Sequence, residues 1–282
     1  MADRNTNNLY SFEFFPPRTP EGVTALDKVH TTLAKLKPDF FSVTYGAGGA
    51  TRDGTRELVL RYAEQGSSVA PHLSFGGLTD DTMRALLDDY AKSGIRRVVA
   101  LRGDLPSGIG AGAQCRYADE LVRFIKDYKG DQFHIDVACY PETHPESRSY
   151  AEDVAYFKQK VEAGADSAIT QYFYNADAYF RYVEYCGQQN IHLPIVPGIM
   201  PITNYQNLMR FSKKCGAEVP LWLAKRLEGM ADDPPALRAF GVDVVTKLCD
   251  KLLSGGAPGL HFYTMNLAGS TSQVWRNLGL GG

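Results

Sequence analysis

The chain has 282 residues, of which 44% are apolar, with a formal net charge of −2 and a pI near 6.3. A globular chain of this length buries roughly three quarters of its unfolded surface, so a large core can form. Lysine and arginine are scattered along the chain rather than clustered. The charge therefore gives no electrostatic reason to expect a nucleic acid partner.

The same sequence argues against a membrane, a disulfide framework and a metal site. Residues 1–9 are polar and lack the apolar centre of a signal peptide, and no apolar run reaches the ~20 residues that span a bilayer. The six histidines have no metal-ligand spacing, and the five cysteines are far apart with no C-x-x-C. They are Cys115, Cys139, Cys186, Cys215 and Cys249. We expect a cytoplasmic protein with reduced thiols, no membrane partner and no metal.

Short apolar, β-rich runs alternate with amphipathic stretches of helical length along the chain. The strands are predicted to begin near Tyr10, Phe40, Val69, Arg97, His134, Ser167, Ile195 and Gly259. The helices are predicted at Thr24–Leu36, Arg52–Gln65, Thr79–Ser93, Tyr117–Tyr128, Tyr150–Ala163, Ala176–Gln189 and Tyr205–Lys214, with extra helices at Leu221–Glu228 and Pro235–Leu253 before the last strand.

Eight such alternations predict an α/β fold, a (β/α)8 TIM barrel. A doubly wound sheet is the alternative. No Ser/Gly/Pro-rich tract or charge block marks a linker, so residues 1–282 are predicted to form a single domain with a polar extension at residues 1–9.

The first strand carries an unusual carboxylate. Residues 10–17 spell Y-S-F-E-F-F-P-P, so Glu13 stands among apolar and aromatic residues. A buried carboxylate is unfavourable unless it is paired or protonated, and a neutral carboxyl group can act as a general acid. The simpler alternative is that Glu13 lies at the strand end and forms a salt bridge with Arg18.

Polar side chains also follow most of the other strands. In a TIM barrel the active site lies at the carboxyl ends of the strands, so these groups are predicted to meet at one mouth. They are Glu13 (strand 1), Thr44 and Tyr45 (strand 2), His72 (strand 3), Arg102 and Asp104 (strand 4), Tyr140, Glu142 and His144 (strand 5), Gln171 (strand 6) and Tyr263 (strand 8).

The mouth lacks the common catalytic motifs. The sequence has no G-x-S-x-G, no Cys with a His signature, and no isolated Lys at a strand end of the kind a Schiff-base aldolase needs. The glycine-rich segments at residues 46–49 and 108–112 do not complete a dinucleotide fingerprint, so they are interpreted as flexible loops. An acid, an amide and several aromatic groups suit a planar cofactor and a planar substrate.

Seven motifs, taken in order and spacing, resemble the methylenetetrahydrofolate reductase family in its short bacterial form, from about Ser11 to Leu280. The motifs are S-F-E-F-F-P-P (11–17), V-T-Y-G-A (43–47), A-P-H-L (70–73), V-A-L-R-G-D (99–104), I-T-Q (169–171), P-G-I-M-P (197–201) and H-F-Y-T-M-N (261–266). The resemblance implies a barrel with tightly bound FAD. It also implies ping-pong hydride transfer from NADH or NADPH to the flavin and then to 5,10-methylenetetrahydrofolate. The product, 5-methyltetrahydrofolate, would supply methyl groups for methionine synthesis.

The resemblance also implies residue roles and a homo-oligomer. Glu13 matches the family's proton donor, and Asp104 matches a carboxylate near flavin and folate. Gln171 and Tyr263 join these two as substrate-binding positions. The FAD-contacting positions are Thr44, His72, Arg102, Gly103, Asp104, Ala118, Tyr140, His144, Asp153 and Lys160.

Two departures from the family pattern concern the substrate. Leu267 stands where many members carry an Arg implicated in folate binding, and Arg276 is a weak substitute. Leu227 takes the place of a stacking aromatic, which predicts simple apolar contact there. Two alternatives stay open: a flavin-free pterin-binding barrel, such as a methyltransferase or aldolase, and a non-catalytic flavin- or folate-binding protein.

Overall fold

The computed structural model describes residues 8–45, 52–76, 78–102 and 117–280. Within these ranges nine strands pair in parallel. They are β1 (Leu9–Phe14), β2 (Phe40–Val43), β3 (Val69–Leu73), β4 (Arg97–Ala100), β5 (His134–Cys139), β6 (Ser167–Thr170), β7 (Ile195–Val196), β8 (Gly198–Ile199) and β9 (Gly259–Tyr263).

Helices follow the strands along the chain. They are α1 (Pro20–Ala34), α2 (Arg52–Glu64), α3 (Asp80–Lys92), α4 (Ala118–Lys129), α5 (Tyr150–Glu162), α6 (Ala176–Gln188), α7 (Tyr205–Cys215), α8 (Leu221–Glu228), α9 (Pro234–Ser254) and α10 (Gly269–Asn277). Side chains at several N-caps, Thr79 of α3 and Ser149 of α5 among them, accept hydrogen bonds from the first turn and fix where those helices begin.

The sheet runs in the order β7-β6-β5-β4-β3-β2-β1-β9-β8 and nearly closes into a barrel. The strands β7 and β8 are two halves of one barrel strand, interrupted by Pro197, which has no N–H to give to a ladder. The carbonyl of Pro197 accepts the N–H of His261 at 2.9 Å, and the N–H of Gly198 donates to Oγ1 of Thr170 at 2.9 Å. This segment therefore joins β6 to β9 and closes the ring.

Gly198 is required at this closure. A Cβ atom there would lie 2.2 Å from the carbonyl oxygen of Thr170 and 2.6 Å from the ring of Tyr263. No side chain fits at such distances, so the two strands can approach only because position 198 is glycine.

The predicted TIM-barrel fold class is confirmed, and the doubly wound alternative is wrong because the sheet curls into a ring. The strands and most helices lie within a few residues of their predicted positions. Helix α1 begins four residues before the predicted Thr24, because Thr19 caps it by accepting the N–H of Gly22 and Pro20 suits the first turn. The last helix, α10, was not among the predicted elements.

The core has an outer and an inner part. The outer part fills the space between the strands and the helices with large aromatic and aliphatic side chains. The inner part, on the barrel axis, is a small apolar cluster of Phe40, Ala70, Val99 and Ile169. TIM-barrel interiors are usually filled by branched aliphatic side chains. Here buried polar groups share the interior with this cluster: Ser11, Ser42, His72, Asp136, Ser167 and His261.

Among the described residues, no helix combines the length and the apolar character that crossing a membrane would require.

The burial of the two tryptophans predicts that replacing them changes the free energy of unfolding by very different amounts. Trp275 of α10 is fully buried and packs its ring 5.3 Å from Tyr10 and 5.4 Å from Phe12, whereas Trp222 is 56% exposed. Trp275→Ala is expected to lower the free energy of unfolding by about 3–5 kcal/mol, because it leaves a cavity behind β1. The matched control Trp222→Ala is expected to change it by less than about 0.5 kcal/mol. Urea unfolding of the two variants measures the difference, and similar losses for both would contradict the assignment of α10 to the core.

Candidate active site

Glu13 lies at the carboxyl end of β1, in register with Ser42 of β2 and Tyr263 of β9. Its Oε2 atom is 3.4 Å from Nε2 of His72 and 3.6 Å from Nε2 of His261. The Glu13 side chain is 19% exposed, so it sits at the boundary between the mouth and the interior. The predicted carboxylate in the mouth is therefore present, with two imidazoles as its neighbours.

The alternative pairing with Arg18 does not occur. Arg18 is exposed, and the ion pairs of Glu13 within the described part of the chain are those with the two histidines. His261 was not among the predicted site residues, although it begins the H-F-Y-T-M-N motif. A signal existed: Ser11 and Glu13, like His261 and Tyr263, are two residues apart and so share the inner face of their strands.

The two imidazoles differ in how they are held. Nδ1 of His261 lies 2.7 Å from Oγ of Ser11, which fixes the ring. Burial lowers the pKa of His72, although the charges of Glu13 and Asp136 oppose this effect. His72 is therefore neutral at neutral pH. A neutral imidazole can accept a hydrogen bond from a protonated Glu13 or donate one to its carboxylate, so the arrangement tolerates both states of the acid.

Gln171 follows β6 and Tyr263 ends β9, so both lie at the same end of the barrel as Glu13. The hydroxyl of Tyr263 donates to the carbonyl of Thr170 at 2.6 Å, and burial raises the pKa of Tyr263 well above its usual value. Its hydroxyl is thus engaged in the barrel wall, which leaves the ring for contact with a ligand. The side-chain oxygen of Gln171 accepts the N–H of Tyr172 at 3.0 Å, so its NH2 group is the end that can donate to a ligand.

Several predicted cofactor positions lie on the ends of β2 to β5. Thr44 is buried beyond β2, and its Oγ1 has no hydrogen-bond partner among the described residues. Arg102, beyond β4, forms an ion pair of 2.6 Å with Glu146 of the β5–α5 loop. Helix α4 begins at Ala118, and its N-cap Tyr117 gives no side-chain hydrogen bond to the first turn. The predicted positions Gly103 and Asp104 lie outside the described residues, as do the glycine-rich segments 46–49 and 108–112.

The β5–α5 loop brings three further predicted positions together. The rings of Tyr140 and His144 meet edge to face, with centroids 4.6 Å apart. Asp153 of α5 accepts the backbone N–H of His144 at 3.1 Å and the hydroxyl of Ser147 at 3.1 Å. Burial lowers the pKa of His144 and raises those of Tyr140 and Asp153. The loop therefore presents neutral aromatic groups at the mouth.

The side chain of Lys160 in α5 is half-buried. Its Nζ donates to the carbonyl oxygen of Ala138, and burial lowers its pKa. Within the described chain no carboxylate oxygen lies within 4 Å of this nitrogen. Its charge is therefore available to an anionic group.

Glu142 differs from the expectation that it faces the mouth. Its Oε2 accepts the backbone N–H of Glu218 at 2.8 Å, which ties the β5–α5 loop to the segment between α7 and α8. Burial raises the pKa of Glu142 to about 7, with the charge of Glu218 adding to the effect. Its observed role is to hold two loops together.

Leu267 and Leu227, the two positions that depart from the family pattern, differ in their exposure. Leu267 is exposed just after β9, where Asn266 clamps the β1–α1 loop by accepting the N–H of Phe15 and donating to its carbonyl. Arg276 lies on α10 and donates to Gln273. The interpretation of Leu227 as a ligand contact is wrong, because Leu227 lies in α8 and its side chain is fully buried in the outer core.

The chain is similar to known proteins over almost its whole length. The family model described as methylenetetrahydrofolate reductase matches residues 1–279. The chain is 38% identical over 271 residues to 5,10-methylenetetrahydrofolate reductase of Escherichia coli (strain K12), covering 96% of this chain and 90% of the relative. It is 39% identical over 287 residues to methylenetetrahydrofolate reductase (NADH) 1 of Arabidopsis thaliana, covering 96% of this chain and 48% of that longer protein.

Among solved structures, an uncharacterized protein from Clostridium thermocellum that binds two copies of 5-methyl-5,6,7,8-tetrahydrofolic acid superposes with a TM-score of 0.68. The alignment covers 97% of this chain and 95% of that one at 16% identity, a level that supports a shared fold only. The family match spans nearly the whole chain, and the relatives are identical at more than a third of the aligned positions. The chain belongs to the methylenetetrahydrofolate reductase family.

Proposed function

We propose that the chain reduces 5,10-methylenetetrahydrofolate to 5-methyltetrahydrofolate, with electrons from NADH or NADPH passed through bound FAD in a ping-pong sequence. The observation that carries the proposal is Glu13, held between His72 and His261 at the mouth of a barrel of this family. The family also supports a homo-oligomer, and its product would serve methionine synthesis. Cys139, Cys186 and Cys249 are buried free thiols, which fits a reducing cytoplasm.

The residues present fit FAD. The buried Oγ1 of Thr44 has no partner in the described chain, and the first turn of α4 has no side-chain cap. A helix N-terminus favours an anion, so Ala118 and the half-buried Lys160 would hold the diphosphate. Thr44, His72, Arg102, Tyr140, His144 and Asp153 would surround the remainder, and Asp104 and Gly103 join them by family resemblance.

When bound, FAD supplies the hydride that the nicotinamide nucleotide has delivered. The residues of this chain manage the proton. Opening the methylene bridge of the folate requires a proton on the departing nitrogen and leaves an electrophilic iminium carbon. Glu13 gives that proton, and the neutral imidazole of His72, with His261 beside it, accommodates the carboxylate that remains. Glu13 and Asp104 are thus the proposed catalytic residues, with Asp104 stabilising the cationic iminium.

Substrate contacts follow from the same mouth. The NH2 group of Gln171 and its carboxamide oxygen suit the mixed donors and acceptors of a pterin edge. Tyr263 offers its ring, since its hydroxyl is bonded to Thr170. A yellow protein whose colour bleaches with NADH would support the proposal. A colourless protein that does not bind FAD would instead favour the flavin-free methyltransferase or aldolase, and a yellow protein that NADH cannot reduce would favour the non-catalytic binder.

Glu13→Gln is expected to separate the two half-reactions. Flavin reduction by NADH should stay within a few-fold of the unmodified protein, because no proton from Glu13 is needed there. Folate reduction should fall by roughly 10²- to 10⁴-fold, the usual contribution of general acid catalysis. Anaerobic stopped-flow absorbance of the flavin measures both steps. The control is Glu64→Gln, an exposed carboxyl group on α2 that should leave both rates unchanged. Equal loss of both half-reactions in Glu13→Gln would mean that Glu13 is only structural.

Leu267→Arg is expected to tighten folate binding modestly. The glutamate tail of folate is anionic, and Leu267 is an exposed apolar residue at the rim of the mouth. An exposed ion pair contributes about 0.2 to 1 kcal/mol, so the Michaelis constant should fall at most several-fold at low salt and less at high salt. NADH oxidation through a quinone acceptor should not change. A strong preference for polyglutamylated folate in the unmodified protein, abolished by Arg276→Ala, would show instead that Arg276 already binds the tail.

A further inference from the structure

A second charged group lies below Glu13 on the barrel axis. Nη1 of Arg97 in β4 is 3.5 Å from Oδ2 of Asp136 in β5, and the two side chains are 15% and 1% exposed. Arg97 is also held by the ring of Phe40, whose centroid is 4.5 Å from the guanidinium carbon. Buried charges are unusual in a barrel interior and would be replaced at little loss by apolar groups if packing were their only role.

Asp136 remains an anion in this position. Its Oδ1 accepts the hydroxyl of Ser167, and Nε2 of His134 lies 3.7 Å away. Burial alone would raise the pKa of Asp136, but the contacts with His134, Arg97 and Ser167 outweigh it and lower the pKa. The carboxylate of Asp136 is therefore stabilised by His134, Arg97 and Ser167, of which Arg97 carries the permanent positive charge.

The ion pair of Arg97 and Asp136 is connected to the proposed proton donor Glu13 through His72. The register pairs His72 with Val99 and Val99 with Asp136, so His72 and Asp136 lie on one row of the sheet, two strands or about 10 Å apart. Val99 belongs to the inner apolar cluster, so this row faces the axis. The charge of Asp136 acts on His72, and His72 contacts Glu13. On the other side, Phe40 stacks against His261, with centroids 6.2 Å apart.

We propose that Arg97 and Asp136 are positioning residues which set the pH range over which Glu13 holds its proton. The inference rests on the proposed function of Glu13. Within the described residues, the charged and titratable groups around Glu13 and its histidines are Tyr263 and His261 of β9, His72 of β3, Arg97 of β4, and Asp136 with His134 of β5. At about 10 Å an uncompensated charge shifts such a coupled cluster by about one pH unit.

The sign differs between the two members of the pair. Arg97→Gln leaves the anion of Asp136 uncompensated, which favours a proton on the cluster and moves the alkaline limit of folate reduction up by about one pH unit. Asp136→Asn leaves the cation of Arg97, which disfavours that proton and moves the limit down by a similar amount. The double variant carries neither charge and should return the limit to its original pH. Mere structural damage would lower rates in both single variants without opposite shifts.

The measurement is the pH profile of each half-reaction in the FAD-loaded enzyme. The flavin-reduction profile with NADH should not move in any variant. The matched control is Asp166→Asn, which removes a carboxylate next to β6 that contacts Lys126 outside the barrel interior. It should shift neither profile.

Three outcomes decide the proposal. Opposite shifts of the folate limit that cancel in the double variant support it. Shifts in the same direction, or no shift, overturn it. If Asp136→Asn does not fold, an upward shift in Arg97→Gln supports it and its absence overturns it. Failure of the proposed function is distinguishable, because Glu13→Gln would then keep the alkaline limit of folate reduction, whereas failure of this inference alone leaves the effect of Glu13→Gln intact.

Discussion

The proposed role of Glu13, a carboxyl group that holds and then releases a proton, would constrain the whole inner surface of this barrel. Lysine or arginine beside Glu13 would favour its carboxylate, and purely apolar neighbours would oppose release of the proton. Two imidazoles avoid both extremes, since each can donate or accept a hydrogen bond without carrying a fixed charge. Ser11 fixes one ring and burial keeps the other neutral. The polar residues on β1, β3 and β9 are therefore one unit, although they are far apart in sequence.

This polar interior changes where the fold gains its stability. A usual TIM barrel packs aliphatic layers on its axis. Here the inner apolar cluster is small, and the large aromatic side chains lie on the outer side of the strands. Phe12 contacts Phe41, Phe262 and Trp275 in this outer layer. The alternation of side chains along each strand thus separates packing from the proposed site: even-numbered residues of β1 support the fold, and odd-numbered ones face the barrel interior.

Local patterns in the sequence were sufficient to predict most of the fold. Strand and helix periodicity depends on near neighbours, so the elements were placed within a few residues. The partners of Glu13 were not predictable in the same way. Ser11 and His261 are 250 residues apart, and their contact exists only because β1 pairs with β9. Arg18, by contrast, is close in the chain and was the natural local candidate. Leu227 was misplaced for a similar reason, because only the packing of α8 shows which of its faces is buried.

The interrupted seventh strand is among the parts of the sheet with the shortest strand pairing. The halves β7 and β8 each pair with a neighbour through two residues, whereas β1 and β9 pair through five. Fewer ladder hydrogen bonds mean a lower free energy for local opening, so backbone amides of β7 and β8 are expected to exchange with solvent before those of β1. The hydroxyl of Tyr263 crosses the interrupted strand to reach the carbonyl of Thr170. Tyr263, at the rim of the mouth, thus also bonds the strands on either side of the interrupted strand. Local opening of the barrel wall there would therefore move the Tyr263 ring.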